Sequence, residues 1–141
     1  MALIPASLDR RVVRAGAGVA IVVAVPAAVA VRVLKSADMA GGHSNWWLAG
    51  AAAVLAGFAV GGWFAARRSA DLPLSHAAWA AAYGFVVMVI GSALAAVAGS
   101  GHVGTATVLV TAALGALCVS FAVLGGWMAV RNDHPVVEGQ R

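Results

Sequence analysis

Charge is scarce in this chain, and acidic charge scarcest: 10% of its 141 residues are charged, and five are Asp or Glu. None of the five lies within the long apolar runs described below. That argues against the small four-helix exporters that depend on a glutamate at membrane depth. Cysteine is nearly missing too. Cys118 stands alone within an apolar run, so one chain can build neither a disulfide framework nor a thiolate metal cage. The glycines precede no strand-to-helix unit, which removes a phosphate-binding loop. Ser92, Ser120, Thr105, Thr107, Thr111 and Cys118 are potential nucleophiles, and Tyr83 is a potential hydrogen-bonding group. No base with an orienting carboxylate accompanies them at membrane depth, so their hydroxyls read as helix-bonding groups and the chain as non-enzymatic.

What the chain has in abundance is apolar surface. It is 62% hydrophobic with a mean hydropathy of +0.93, more than a water-soluble domain of this size can hide. Lipid is therefore the expected solvent. Four runs are long enough to cross a hydrocarbon core of about 30 Å as helices. They cover approximately 15–34, 46–66, 77–98 and 103–130. The expected fold is an all-α transmembrane four-helix bundle forming a single membrane domain. Pro26 removes one amide from the first run and bends it. The segment Arg10-Arg11-Val12-Val13-Arg14, an apolar stretch and Ala28-Val29-Ala30 together share features with an export signal. An uncleaved span is the expectation.

Nine basic residues give a formal charge of +4, but they are scattered between apolar runs and form no phosphate-tracking groove, which excludes nucleic acid as the natural partner. They divide unevenly. Arg10, Arg11, Arg14, Arg67, Arg68, Arg131 and Arg141 fall on one side of the four spans, against Arg32 and Lys35 on the other. Basic residues are retained in the cytosol, so both termini are expected there, in a multi-pass protein of the cell membrane. Trp46 and Trp47 then open the second helix at the outer boundary, while Trp63, Trp79 and Trp127 mark the inner one. The basic residues can also hold anionic lipid head groups, each contributing about 1 kcal/mol near an acidic leaflet.

Ten residues, Arg67 to His76, form the expected cytoplasmic turn, with Pro73 and a serine that can cap the third helix. Gly99-Ser100-Gly101-His102 makes a tighter connection outside, and the longest connection runs from Ser36 to Asn45. His43 and His102 share the outer boundary and His76 and His134 the inner one. Without close ligand spacing they read as interfacial polar residues, and neither metal nor cofactor is expected. Small residues four apart mark packing faces: Gly57 with Gly61, Gly91 with Ala95, and Ala122 with Gly126. Packing within the chain is favoured over homo-oligomerisation.

The order Gly-Gly-Trp-x-Ala-x-Arg occurs twice, at Gly61–Arg67 and Gly125–Arg131, which reads as two tandem helical hairpins related by an axis along the membrane normal. At GGWFAARRSADLPLSHAAWAA, and again at GGWMAVR, the chain resembles a group of small actinobacterial four-helix membrane proteins related to the YrzE-like family. That resemblance covers helices two to four by architecture and about twenty residues by motif. It implies the four-helix membrane architecture and no catalytic residues. In the second copy a single arginine, Arg131, is followed by Asn132 and Asp133, so the duplication is imperfect. The leading functional expectation is a non-catalytic structural or accessory subunit of a larger membrane assembly, and the alternative is a small oligomeric transporter or channel.

Overall fold

The computed structural model describes residues 8–36, 46–69, 71–98 and 105–132. Its elements are four helices: α1 (Arg10–Ser36), α2 (Trp46–Arg67), α3 (Pro73–Ala98) and α4 (Thr105–Asn132). All four are long and apolar enough to cross a membrane, and no strand occurs among the described residues. The chain is an all-helical four-helix bundle, an integral membrane protein by the length and character of every element.

Two helices begin earlier than the apolar runs predict, and each start has a local cause. Asp9 caps α1: its Oδ1 accepts the Arg11 amide at 2.8 Å and its carbonyl accepts the Val13 amide at 3.1 Å. Arg10, Arg11 and Arg14 therefore belong to the first turns of the helix. Pro73 opens α3, where its missing N–H costs nothing and its fixed φ suits the first helical turn. Leu72, just before it, holds a left-handed backbone with φ 54° and accepts the His76 amide through its carbonyl at 3.1 Å. Ser75 is consequently the third residue of the helix, three positions past the one that could cap it. α1 continues through Pro26.

Contacts fix the directions of the helices. Gly16 lies against Ala65 and Gly57 against Val23, so α1 and α2 are antiparallel. Gly126 lies against Ala77 and Gly115 against Phe85, so α3 and α4 are antiparallel too. Around the bundle the order is α1, α2, α4, α3, with α2 and α3 also touching across it. The start of α1, the end of α2, the start of α3 and the end of α4 meet at one end of the bundle, here called the basic end.

The expected two-fold relation between the hairpins is not realised. Exchanging α1 with α3 and α2 with α4 would turn the α2–α3 contact into an α4–α1 contact, and α1 and α4 do not touch among the described residues. The four-helix architecture stands without that symmetry.

Candidate functional site: a tightly closed basic end and an apolar cleft

At the basic end the helix backbones themselves are in contact. A β-carbon added at Gly62 would collide with the Ala122 peptide, 2.7 Å from its carbonyl carbon. One added at Gly125 would collide with the Ala59 peptide, 2.8 Å from its carbonyl carbon. These reciprocal clashes leave no room for any side chain but hydrogen where α2 crosses α4. The other glycine of each pair serves a different neighbour. Gly61 faces α1, its added β-carbon 2.7 Å from the Gly16 carbonyl oxygen and 2.8 Å from the Ala20 β-carbon. Gly126 faces α3, its added β-carbon 2.8 Å from that of Ala77. Each Gly-Gly pair thus joins three helices. The two copies exchange the roles of their first and second glycines, which is the local expression of the missing two-fold.

Of the expected packing residues, Gly57, Gly61, Ala122 and Gly126 are buried between helices of the same chain. Gly91 differs: it is exposed, and an added β-carbon would meet nothing within 4 Å. No neighbouring helix among the described residues packs against Gly91, because α1 and α3 have separated around the cleft that it borders. The side chain of its expected companion, Ala95, lies outside the described residues. Gly62 and Gly125, the residues at the tightest crossing, escape a search for small residues four apart. Their partners along each helix are Ala59 and Ala122, three residues away, so an i, i+3 search would have found them.

The aromatic and basic side chains of the repeated motif make the same local contact in both copies. The Arg67 guanidinium lies 4.8 Å from the Trp63 ring centre, and that of Arg131 lies 5.2 Å from the Trp127 ring centre. Arg68 stacks on Phe64 at 4.1 Å. Spacing of four residues puts each cation above its ring on one helical face, an attraction of about 0.5–1 kcal/mol at exposed sites. Trp79 is half-buried against Leu8 and Val13. The side chains of Trp46 and Trp47 lie outside the described residues, as do His43, His102 and His134.

His76 is the residue whose surroundings depart furthest from its expected role. Rather than an interfacial polar side chain, it is a buried one, 4% exposed. Its Nε2 accepts the Asp9 amide at 3.0 Å, so the ring proton sits on Nδ1, which donates to the Leu72 carbonyl at 3.0 Å. The neutral imidazole therefore ties the start of α1 to the start of α3. The only sequence signal for this was its place in the first turn after Pro73.

Toward the other end the packing opens. α1 and α3 lie close where Gly16 approaches Ala80 and Gly84 approaches Ala17, then separate around a cleft of about 560 Å³. Ile21, Val25 and Val29 of α1 form one wall, and Val87, Met88 and Gly91 of α3 the other. Val54 of α2 and Leu114 of α4 also line it, and among the described residues Ser92 is its one polar side chain. Val25, Val29 and Val87 are also exposed, so the cleft opens sideways between α1 and α3. The side chains of Thr105 and Thr107 lie outside the described residues, and among the described ones Cys118 and Ser120 are engaged separately. Cys118 is buried in the core beside Ala122, and the Ser120 hydroxyl donates to the Ala116 carbonyl at 2.9 Å. Among the described residues no group of His, Cys, Asp or Glu is placed to hold a metal ion.

Comparison of the chain with known protein families, curated proteins and solved structures finds no match.

Proposed function

We propose that this protein is a non-catalytic structural or accessory subunit of a larger membrane assembly, of the same kind as the small actinobacterial four-helix proteins it resembles. The observation that carries this reading is the backbone-to-backbone closure of the basic end, at Gly62 on Ala122 and Gly125 on Ala59. Such contacts make a stiff scaffold that resists rearrangement, while the outward faces, including Val22, Val60 and Leu124, remain apolar and available to neighbours in the bilayer. In this reading the basic end faces the cytosol of the cell, where Arg10, Arg11, Arg14, Arg68 and Arg131 meet anionic head groups.

Cross-linking in the native membrane, followed by gentle detergent extraction, tests the role. The expected outcome is one recurring membrane partner in fixed proportion; isolation of the chain alone after cross-linking rejects the subunit reading. Orientation is tested separately with a membrane-impermeant thiol reagent on Ser69→Cys in a Cys118→Ala background. Protection from outside is expected, and labelling of intact cells would reverse the topology.

The second reading, a small oligomeric transporter or channel, draws support from the cleft and from Pro26 beside it in α1. Vesicles containing the purified chain would have to pass a solute or ion; absence of flux across a broad panel rejects it.

A further inference from the structure

Among the described residues His76 is the buried polar side chain, and apolar packing gives no reason for it. Its ring lies between two helix starts, with Asp9 at the head of α1 on one side and Leu72, just before α3, on the other. Trp79 and Tyr83 follow it at i+3 and i+7 on the same face of α3 and pack against Leu8 and Val13. Asp9 and Leu72 are exposed, so solvent at the basic end lies one residue away from the imidazole.

The two sides of the ring are held differently. Toward α3 the Leu72 carbonyl accepts both the His76 amide at 3.1 Å and the Nδ1 proton at 3.0 Å, and both bonds persist whether or not Nε2 carries a proton. Leu72 holds φ 54°, a left-handed backbone that leucine seldom adopts, and these two bonds keep it there. Toward α1 the contact is a single bond, with Nε2 accepting the Asp9 amide at 3.0 Å. A proton on Nε2 takes the lone pair that makes this bond and sets two N–H donors face to face. The contact therefore needs the neutral ring: it is present at higher pH and lost once the imidazole is charged. Histidine is the side chain whose charge ordinarily changes between about pH 5 and 8.

The charged groups around this end are Asp9, Arg10, Arg11 and Arg14 on α1, Arg67 and Arg68 at the end of α2, Asp71 in the connection and Arg131 at the end of α4, with the Tyr83 phenol on the face of α3 itself. Asp9 is the acid beside the ring, and its Oδ1 already accepts the Arg11 amide at 2.8 Å. An imidazolium that drew this carboxylate in would strip α1 of its cap, so that response also unfastens the same turn. The crossing of α2 and α4, by contrast, is made by Ala59, Gly62, Ala122 and Gly125 and has nothing to titrate.

We propose that the start of α1 is a proton-operated latch: neutral His76 fastens Asp9 to α3, and protonated His76 releases the first turn of α1 while the rest of the bundle stays closed. The device senses protons at the basic end and is independent of any partner subunit.

The test uses the full-length chain in detergent micelles, with hydrogen exchange at single amides and the His76 ring nitrogens followed by NMR between about pH 8 and 5. Exchange is expressed relative to the unstructured rate at each pH, because the exchange chemistry itself changes with pH. Protection of the Asp9 amide is expected to fall about tenfold or more over this range, the equivalent of losing one hydrogen bond, and to follow the charge on His76. The Ser69 amide, bonded to the Ala66 carbonyl at the same end of the bundle, should keep its protection. In His76→Gln, whose side-chain oxygen can accept the same amide without titrating, protection at Asp9 should no longer depend on pH. The proposal is overturned if His76 becomes charged with Asp9 still protected, if it stays neutral throughout the range, or if the Gln variant keeps the pH dependence. Loss of protection at Asp9 and Ser69 together overturns it as well, since that is unfolding rather than unlatching. The unaltered protein decides the matter even where His76→Gln fails to fold.

Discussion

The two halves of this bundle are made from similar residues and packed in opposite ways. At the basic end, Gly16, Gly61, Gly62 and Gly125 bring backbones into contact; at the other, Gly91 brings nothing together and borders open space. Composition is therefore a poor guide to packing in lipid. Apolar side chains gain nothing by leaving lipid for one another, so association rests on how closely surfaces fit. A glycine matters when a neighbouring backbone occupies the place its side chain would take. It is nearly silent when lipid does.

The sharpest way to break this contrast is to enlarge a residue in each half. Gly62→Leu should destabilise by about 1–3 kcal/mol or more, since the Ala122 peptide cannot move aside as a flexible side chain could. Thermal unfolding in detergent measures the loss, and an unchanged midpoint would contradict the crossing. His76→Phe comes next. It leaves the Asp9 amide without its partner, while the Leu72 carbonyl keeps the backbone amide of residue 76, at a cost of roughly 1–3 kcal/mol, and should speed hydrogen exchange at the Asp9 amide. Asp9→Ala is milder: it removes the cap on the Arg11 amide, costing typically ~1 kcal/mol, yet keeps the backbone amide that His76 accepts. Exchange should therefore rise at Arg11 and stay slow at Asp9, which separates cap from latch. Gly91→Leu is the smallest, expected within about 0.5 kcal/mol of the parent because open space surrounds it. A loss as large as that of Gly62→Leu would show that Gly91 packs against something.

Much of this fold was legible from the chain alone. Four uninterrupted apolar runs could become little else in lipid, because each must satisfy its own backbone hydrogen bonds. Their ends were less legible. Hydropathy marks where hydrocarbon begins, whereas Asp9 and Pro73 start their helices several residues earlier, among charged and polar side chains. The small-residue rule located Gly57, Gly61, Ala122 and Gly126 yet could not say which helix each would meet. It also selected Gly91, since spacing along one helix carries no information about whether another helix lies opposite. The role of His76 depends on Asp9, far away in sequence, and no local pattern encodes that pairing. The repeated Gly-Gly-Trp motif pointed to a symmetry that the assembled helices do not keep, because identical pairs can serve different neighbours.

The link between Asp9 and His76 has a consequence for how the protein is made. The two residues are separated by 67 positions. At roughly 5–20 residues per second, the histidine is synthesised about 3 to 13 seconds after the aspartate. Within that interval the leading span is made in full while the partner of its first turn is not. The fastening of that turn waits for the third span, so the earliest part of this small protein is completed by one of its later parts.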